Sequence, residues 1–178
     1  NVRATAEMMG SKSPLRPDKA DEDKPAMCLG SMDVNLLGLV NGYGTVANYG
    51  KHIDPVLVTR IVKTNPDGTE ETIYNYEDEV DANAAISARA AYFMQKMLGF
   101  GLTDGGGTSQ PLTDYVDSYM NTTDFGGKTG TRNNYSDAWF VGTSPNLVAG
   151  VWVGGEYRCI HFTSGAQGQG SRTALPIC

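Results

Sequence analysis

The segment "GGKTGTRNNYSDAWFVGTSPNLVAGVWVGG", residues 126–155, restricts the fold of this chain more than any other. Three short runs, "GGKTGT", "SDAWFVGT" and "NLVAGVWVGG", are enriched in β-branched and aromatic residues and separated only by the turn-forming "RNNY" and "SPN". Connections this tight predict three antiparallel strands, because a parallel pair needs a crossover of a dozen residues or more. Helical patterns precede the meander and one follows it. That order predicts an α+β domain, an antiparallel sheet flanked by helices.

Upstream, "NVRATAEMMG" sets Val2, Ala6 and Met9 at helical spacing and ends on Gly10, a common helix stop. "RPDKADEDKP" (16–25) is charged and proline-bracketed, which predicts an exposed loop. "GSMDVNLLGLVNGYGTVANYG" (30–50) offers Ser31 and Asp33 as N-caps, an apolar face through Val34, Leu37, Val40 and Ala47, and Gly50 as its end. Gly38, Gly42 and Gly44 weaken that helix, each by up to about 1 kcal/mol unless close packing compensates. "PVLVTRIVKT" and "TEETIYNY" flank Asn65-Pro66-Asp67-Gly68 and predict a hairpin. "DANAAISARAAYFMQKMLGFG" (81–101) is the strongest helical pattern, with Ile86, Ala90, Phe93, Met94, Met97 and Leu98 spaced as a core stripe and Gly99 and Gly101 as stops. "TDGGGTSQPL" predicts a flexible loop that borders any cleft, "LTDYVDSYM" a short helix, and "AQGQGSRTALPIC" a final helix packed on the sheet.

Composition narrows the function classes. At 178 residues and 19.1 kDa with 40% apolar residues, the chain can build a hydrophobic core. A net charge of −6 and a pI near 4.8, with no Lys/Arg run, argue against nucleic-acid binding. Cys28, Cys159 and Cys178 form no C-x-x-C pair, and His52 and His161 have no thiol or acidic neighbours at zinc-like spacing, so neither a metal nor a cofactor is expected. Each cysteine reads as a small buried hydrophobe. No stretch approaches the roughly 18 apolar residues of a bilayer span. The helical start "NVRATAEMMG" and the apolar finish "TALPIC" read as an excised piece of a longer protein.

"DFGGKTGTR" (124–132) is the segment with chemistry to assign. A phosphate loop needs a glycine where Thr122 stands and a helix after Thr131, where the pattern is strand-like, so that reading fails. A plain glycine-rich entry into a strand remains open for a bare K-T-G. On an extended chain Lys128 and Thr129 point to opposite sides, Gly130 leaves the backbone open, and Thr131 returns to the side of Thr129. Two hydroxyls and a cation beside open edge backbone suit a ligand that carries a carboxylate and an extended peptide.

From about Ala6 to its last residue the chain resembles the C-terminal part of the transpeptidase domain of class A, bifunctional penicillin-binding proteins. The motifs that carry the resemblance are "GSKSPL", "CLGSMDVNLLGLVNGYGTVANYGKHIDPVLVTRI", "GGKTGTRNNYSDAWFVGTSPNLVAGVWVGGE" and "GQGSRTALPI". It implies part of the penicillin-binding-protein/serine β-lactamase-like transpeptidase fold, with residues 1–178 as the C-terminal portion of one domain. It implies a serine-type D,D-transpeptidase, in which an S-x-x-K serine attacks the D-Ala-D-Ala stem of peptidoglycan, an S-x-N motif assists proton transfer and K-T-G closes the pocket. It also implies β-lactams as ligands, a partner glycosyltransferase domain, and a site outside the cytoplasm on a membrane-anchored parent. The anchor would lie in a segment absent from this chain.

No serine here has a lysine three places later, so the resemblance puts the nucleophile, and with it the S-x-N motif, upstream of Asn1. Ser144-Pro145-Asn146 fits S-x-N in letters but follows K-T-G and falls in a strand turn, which makes it a decoy. By resemblance Lys128 supplies positive potential and supports proton transfer, Thr129 and Thr131 bind the substrate carboxylate, Gly130 permits close approach, and the Thr131 amide is one half of the oxyanion hole. Trp139, Phe140, Val151, Trp152 and Val153 are expected mostly as core, and Tyr135, Ser136 and Asp137 as turn residues. Two rivals stay open: a serine β-lactamase or D,D-carboxypeptidase of the same fold, which the "LGS-x-D-V" helix and "ALPI" end oppose, and a non-catalytic β-lactam sensor. The isolated chain is expected to be inactive and incompletely folded.

Overall fold

A computed structural model describes residues 2–11, 25–30, 33–78 and 82–178. In chain order the elements are α1 (Val2–Met8), α2 (Leu36–Ala47), β1 (Lys51–His52), β2 (Arg60–Thr64), β3 (Glu70–Asn75), β4 (Asn83–Ala84), α3 (Ala88–Thr103), α4 (Thr113–Val116), β5 (Gly126–Thr131), β6 (Asp137–Ser144), β7 (Leu147–Gly154), α5 (Gly165–Gly168) and α6 (Ala174–Ile177). Single 3₁₀ turns at Pro25–Leu29, Tyr76–Asp78, Gln110–Leu112 and Asp117–Tyr119 connect them. The loop expected over 16–25 lies, save Pro25, outside the described residues.

The meander forms as the turn spacing requires, in the order β5-β6-β7 with antiparallel pairing throughout. Thr131 stands opposite Ala138 and Thr129 opposite Phe140, which in turn faces Val151. Residues paired across strands share a face. One face therefore carries Thr129, Thr131, Ala138, Phe140, Val151 and Val153, and it buries Phe140 against Leu102, Leu112, Ala174 and Leu175. Leu102 comes from α3 and the Ala174-Leu175 pair from α6, so the expected closing helix does pack on the sheet. The opposite face, with Lys128, Gly130, Trp139, Val141 and Gly150, receives α2. A Cβ built on Gly150 would lie 2.4 Å from Val40 Cγ2, so glycine there is what lets the helix sit this close.

The hairpin forms as β2 and β3, turned by the Gly68 N–H donating to the Asn65 carbonyl (2.9 Å), with a register shift between Ile61 and Val62. A second two-stranded pair, β1 with β4, had no sequence signal because each strand is two residues long. The N-cap of α2 is Asn35, whose side-chain oxygen accepts the Gly38 amide at 2.6 Å; Asp33 does not serve, and Ser31, the other expected cap, lies outside the described residues. At its other end the Gly50 amide donates to the Thr45 carbonyl (2.8 Å).

Three expectations about α3 fail. It does not start near residue 81: Ser87, whose hydroxyl accepts the Ala90 amide at 3.2 Å, caps a helix that begins at Ala88, so Ile86 lies before it and Asn83–Ala84 is strand. Gly99 and Gly101 do not stop it, for the helix continues to Thr103. They are instead where α3 meets β5: a Cβ on Gly101 would lie 3.2 Å from the Gly127 carbonyl oxygen, and one on Gly99 3.5 Å from that of Phe125. Nor is the Met and aromatic stripe core in this chain, since Phe93 is 52% and Met97 57% exposed, while Ala91, Leu98 and Leu102 form the buried side. Helical spacing locates an apolar face but not what covers it. The three cysteines are free and exposed, not buried hydrophobes.

Candidate active-site wall

β5 is an edge strand, so one row of its backbone groups is left without a strand partner. The Arg132 amide donates inward to the Asp137 carbonyl (3.0 Å), and alternation along the strand then turns the Thr131 amide toward the open edge. The Lys128 ammonium is exposed and donates to the carbonyl of Thr129 at 2.5 Å. The neighbouring charges are committed elsewhere: Arg132 lies 3.8 Å from Asp137, and Lys96 3.9 Å from Asp124. Asp137 also accepts hydrogen bonds from Trp152 Nε1 (3.0 Å) and Ser136 Oγ (2.9 Å). Tyr135 closes the turn that follows the motif, its amide donating to the Arg132 carbonyl (2.9 Å), and Ser136 follows as a bend, but Asp137 is the first residue of β6, not a turn residue; the Ser136 and Asp137 side chains bind each other and Trp152 where backbone groups were expected.

The two threonine hydroxyls are held from outside β5. Thr131 Oγ1 accepts the Gly170 amide at 3.0 Å, which binds the C-terminal "GQG" to the end of the K-T-G strand. A Cβ on Gly170 would fall 2.4 Å from the Trp139 carbonyl oxygen and 2.6 Å from that of Gly130, so only glycine fits. Thr129 Oγ1 lies 2.6 Å from Thr108 Oγ1, in the loop that follows α3. That loop is anchored, contrary to its flexible appearance in sequence. Ser109 is buried, and a Cβ on Gly107 would stand 2.1 Å from the Gly101 carbonyl oxygen.

Lys128, Thr129, Gly130 and Thr131 therefore occupy one strand edge, with the two hydroxyls on one face and the lysine on the other. Sequence reasoning missed Thr108 and Gly170 as their supports; the signals were a threonine after three glycines and the Gly168–Gly170 pair of "GQGSRTALPI". Ser144-Pro145-Asn146 forms the β6–β7 turn, where Ser144 Oγ donates to Asn146 Oδ1 (3.2 Å), and β5–β6 pairing places it beyond the Gly126 end of β5, away from the threonines. Of the expected core residues Phe140 is fully buried, whereas Trp152 is 41% exposed and stacks at a tilt on Trp139 with ring centroids 6.2 Å apart.

Known proteins resemble this chain in sequence and fold. The family described as penicillin binding protein transpeptidase domain matches residues 6–156. Penicillin-binding protein 1A of Aquifex aeolicus (strain VF5) is 31% identical over 159 residues, 88% of this chain and 20% of that protein. Its namesake from Rickettsia bellii (strain RML369-C) is 32% identical over 169 residues, 85% and 20% of the two chains. The crystal structure of penicillin-binding protein 1A from Haemophilus influenzae shares the fold at TM-score 0.70 and 22% identity, over 85% of this chain and 26% of the other. Penicillin-binding protein A from M. tuberculosis, solved as an imipenem acyl-enzyme complex, superposes at TM-score 0.60 and 20% identity, over 93% and 39%. The chain spans about a fifth of the length of these curated relatives. It carries the K-T-G edge strand, the sheet behind it and the helices on both faces, and it belongs to the penicillin-binding protein transpeptidase domain family.

Proposed function

We propose that this chain supplies one wall of a serine D,D-transpeptidase site that cross-links peptidoglycan stem peptides. The observation that carries this reading is the edge strand itself: an exposed ammonium, two hydroxyls on one face and an outward amide at Thr131, all on Lys128–Thr131. A hydroxyl has one proton and two lone pairs. Thr131 spends a lone pair on the Gly170 amide, so its own proton is left to donate to a carboxylate. Lys128 raises the potential for that anion, and the Thr131 amide stabilises the oxyanion of a tetrahedral intermediate.

The nucleophile comes from elsewhere in the parent protein, since no serine in this chain precedes a lysine by three. That serine oxygen attacks the penultimate D-Ala carbonyl, forms an ester and releases the terminal D-Ala. The amine of a neighbouring stem peptide then attacks the ester, forming the cross-link and returning the serine. β-Lactams acylate the same serine. The parent works on the outer face of the cytoplasmic membrane, held by a segment other than these; no helix among the described residues is long and apolar enough to cross a membrane.

Incubation with a fluorescent penicillin, followed by intact-mass analysis and peptide mapping, tests the reading. The full-length parent is expected to carry one adduct, on a serine outside these residues, and the isolated chain none. An adduct on a serine of this chain would overturn the assignment of the wall.

A further inference from the structure

Thr108 sits outside the K-T-G strand, yet its hydroxyl lies 2.6 Å from that of Thr129, at the short end of the range for hydroxyl pairs. Its placement is fixed by the fold around it. Gly107 N–H donates to the Asp104 carbonyl at the end of α3 (2.8 Å), and Gly107 packs where a Cβ would stand 2.1 Å from the Gly101 carbonyl oxygen. On the other side Ser109 is buried, and the chain passes at once into the 3₁₀ turn of Gln110–Leu112, whose Leu112 belongs to the core. Thr108 is therefore delivered to Thr129 by α3 and the core together.

We propose that Thr108 is a positioning residue for the binding of the acyl donor's carboxylate. By donating its proton to Thr129 Oγ1, it occupies a lone pair of that oxygen and leaves the Thr129 proton to donate to the carboxylate. A hydroxyl that accepts one hydrogen bond becomes a better donor in the next. β-Branching already limits Thr129 to few rotamers, and the contact with Thr108 selects among them. The inference rests on the transpeptidase reading and adds to it the residue that sets the proton direction at the carboxylate subsite.

The test uses the full-length parent protein with a fluorescent penicillin and the methyl ester of the same compound, read as half-saturating concentration and limiting acylation rate. Thr108→Val keeps the shape and removes the hydroxyl. It is expected to raise the half-saturating concentration for the free acid about tenfold, the scale of one hydrogen bond to a charged group, with the limiting rate little changed. Thr108→Ser should restore it, the ester should be indifferent to both changes, and in a Thr129→Val background Thr108→Val should have no further effect. Equal losses against acid and ester, or an additive loss in the Thr129→Val background, would assign Thr108 a purely structural role and overturn the proposal. Should Thr108→Val be too unstable to assay, Thr108→Ala against Thr108→Ser is read the same way. If the unmodified protein takes up no label, the transpeptidase reading falls and this inference with it; if it labels and Thr108→Val labels equally well, the inference alone falls.

Discussion

The Thr131 hydroxyl faces two demands, because it accepts the Gly170 amide while its proton is offered to a ligand. Thr131→Ala removes the acceptor and leaves a partly buried N–H without a partner, which costs about 1–3 kcal/mol of stability. The amide that would serve the oxyanion is untouched, so in the full-length parent the expected result is a lower melting temperature and weaker penicillin capture, with acylation at saturation largely kept. Thermal melts beside label titrations check this pair of effects. Gly170 stands under a tighter constraint. Gly170→Ala forces a methyl to within 2.4 Å of one backbone carbonyl oxygen and 2.6 Å of another, neither of which can rotate away. It is expected to cost roughly 3 kcal/mol, the upper end for overpacking, and to shift Gly130 along with the sheet. Denaturant titration measures the first effect, and loss of labelling the second.

The helices and strands differ in how firmly they are tied to the sheet, and α3 shows both extremes. Its Ala91, Leu98 and Leu102 side is buried, whereas Phe93, Met97 and Phe100 face outward. Phe140→Ala, at the centre of the core cluster, should cost about 3–5 kcal/mol. Phe93→Ala in the same isolated chain should stay within about 0.5 kcal/mol, as for an ordinary surface site. Chemical denaturation of both variants checks the ordering, and near-equal losses would mean that the outward stripe is buried in solution. The β2–β3 hairpin makes a separate prediction about pH. At its turn the Thr69 hydroxyl and amide both donate to Asp67 Oδ1, at 2.6 and 3.0 Å, and hold this exposed carboxyl below its ordinary pKa. A folded value lower than the unfolded one, which is near 3.9, means the turn's contribution is present above that pH and fades as pH falls through the lower value. An NMR titration of the Asp67 carboxyl, followed with the hairpin amides, reads both.

On the scale of the whole molecule, a three-stranded sheet with helices on both faces still leaves broad apolar surface uncovered along α3 and the hairpin, where Ile73 is 61% exposed, and on the segment leading into it, where Leu57 is 99% exposed. The isolated chain is therefore expected to bind hydrophobic dyes, which a dye-fluorescence titration checks. The meander was legible from the strand and turn chemistry of residues 126–154, because tight connections admit only antiparallel neighbours. The K-T-G wall was legible too, since period-two alternation alone sets Thr129 and Thr131 on one face and Lys128 on the other. Cap choice was less so: Asn35 took the role offered to Ser31 and Asp33, because several polar residues compete at a helix start and packing decides which is used. Local sequence thus determined the strands of the meander and the hairpin, where they turned, and which side chains line the edge. Only the tertiary structure decided which glycines are contacts instead of helix stops, which apolar stripe is core, and that Thr108 and Gly170 hold the two site hydroxyls. These depend on pairs far apart in the chain, 21 residues for Thr108 with Thr129 and 39 for Gly170 with Thr131, and no local period encodes a separation of that length.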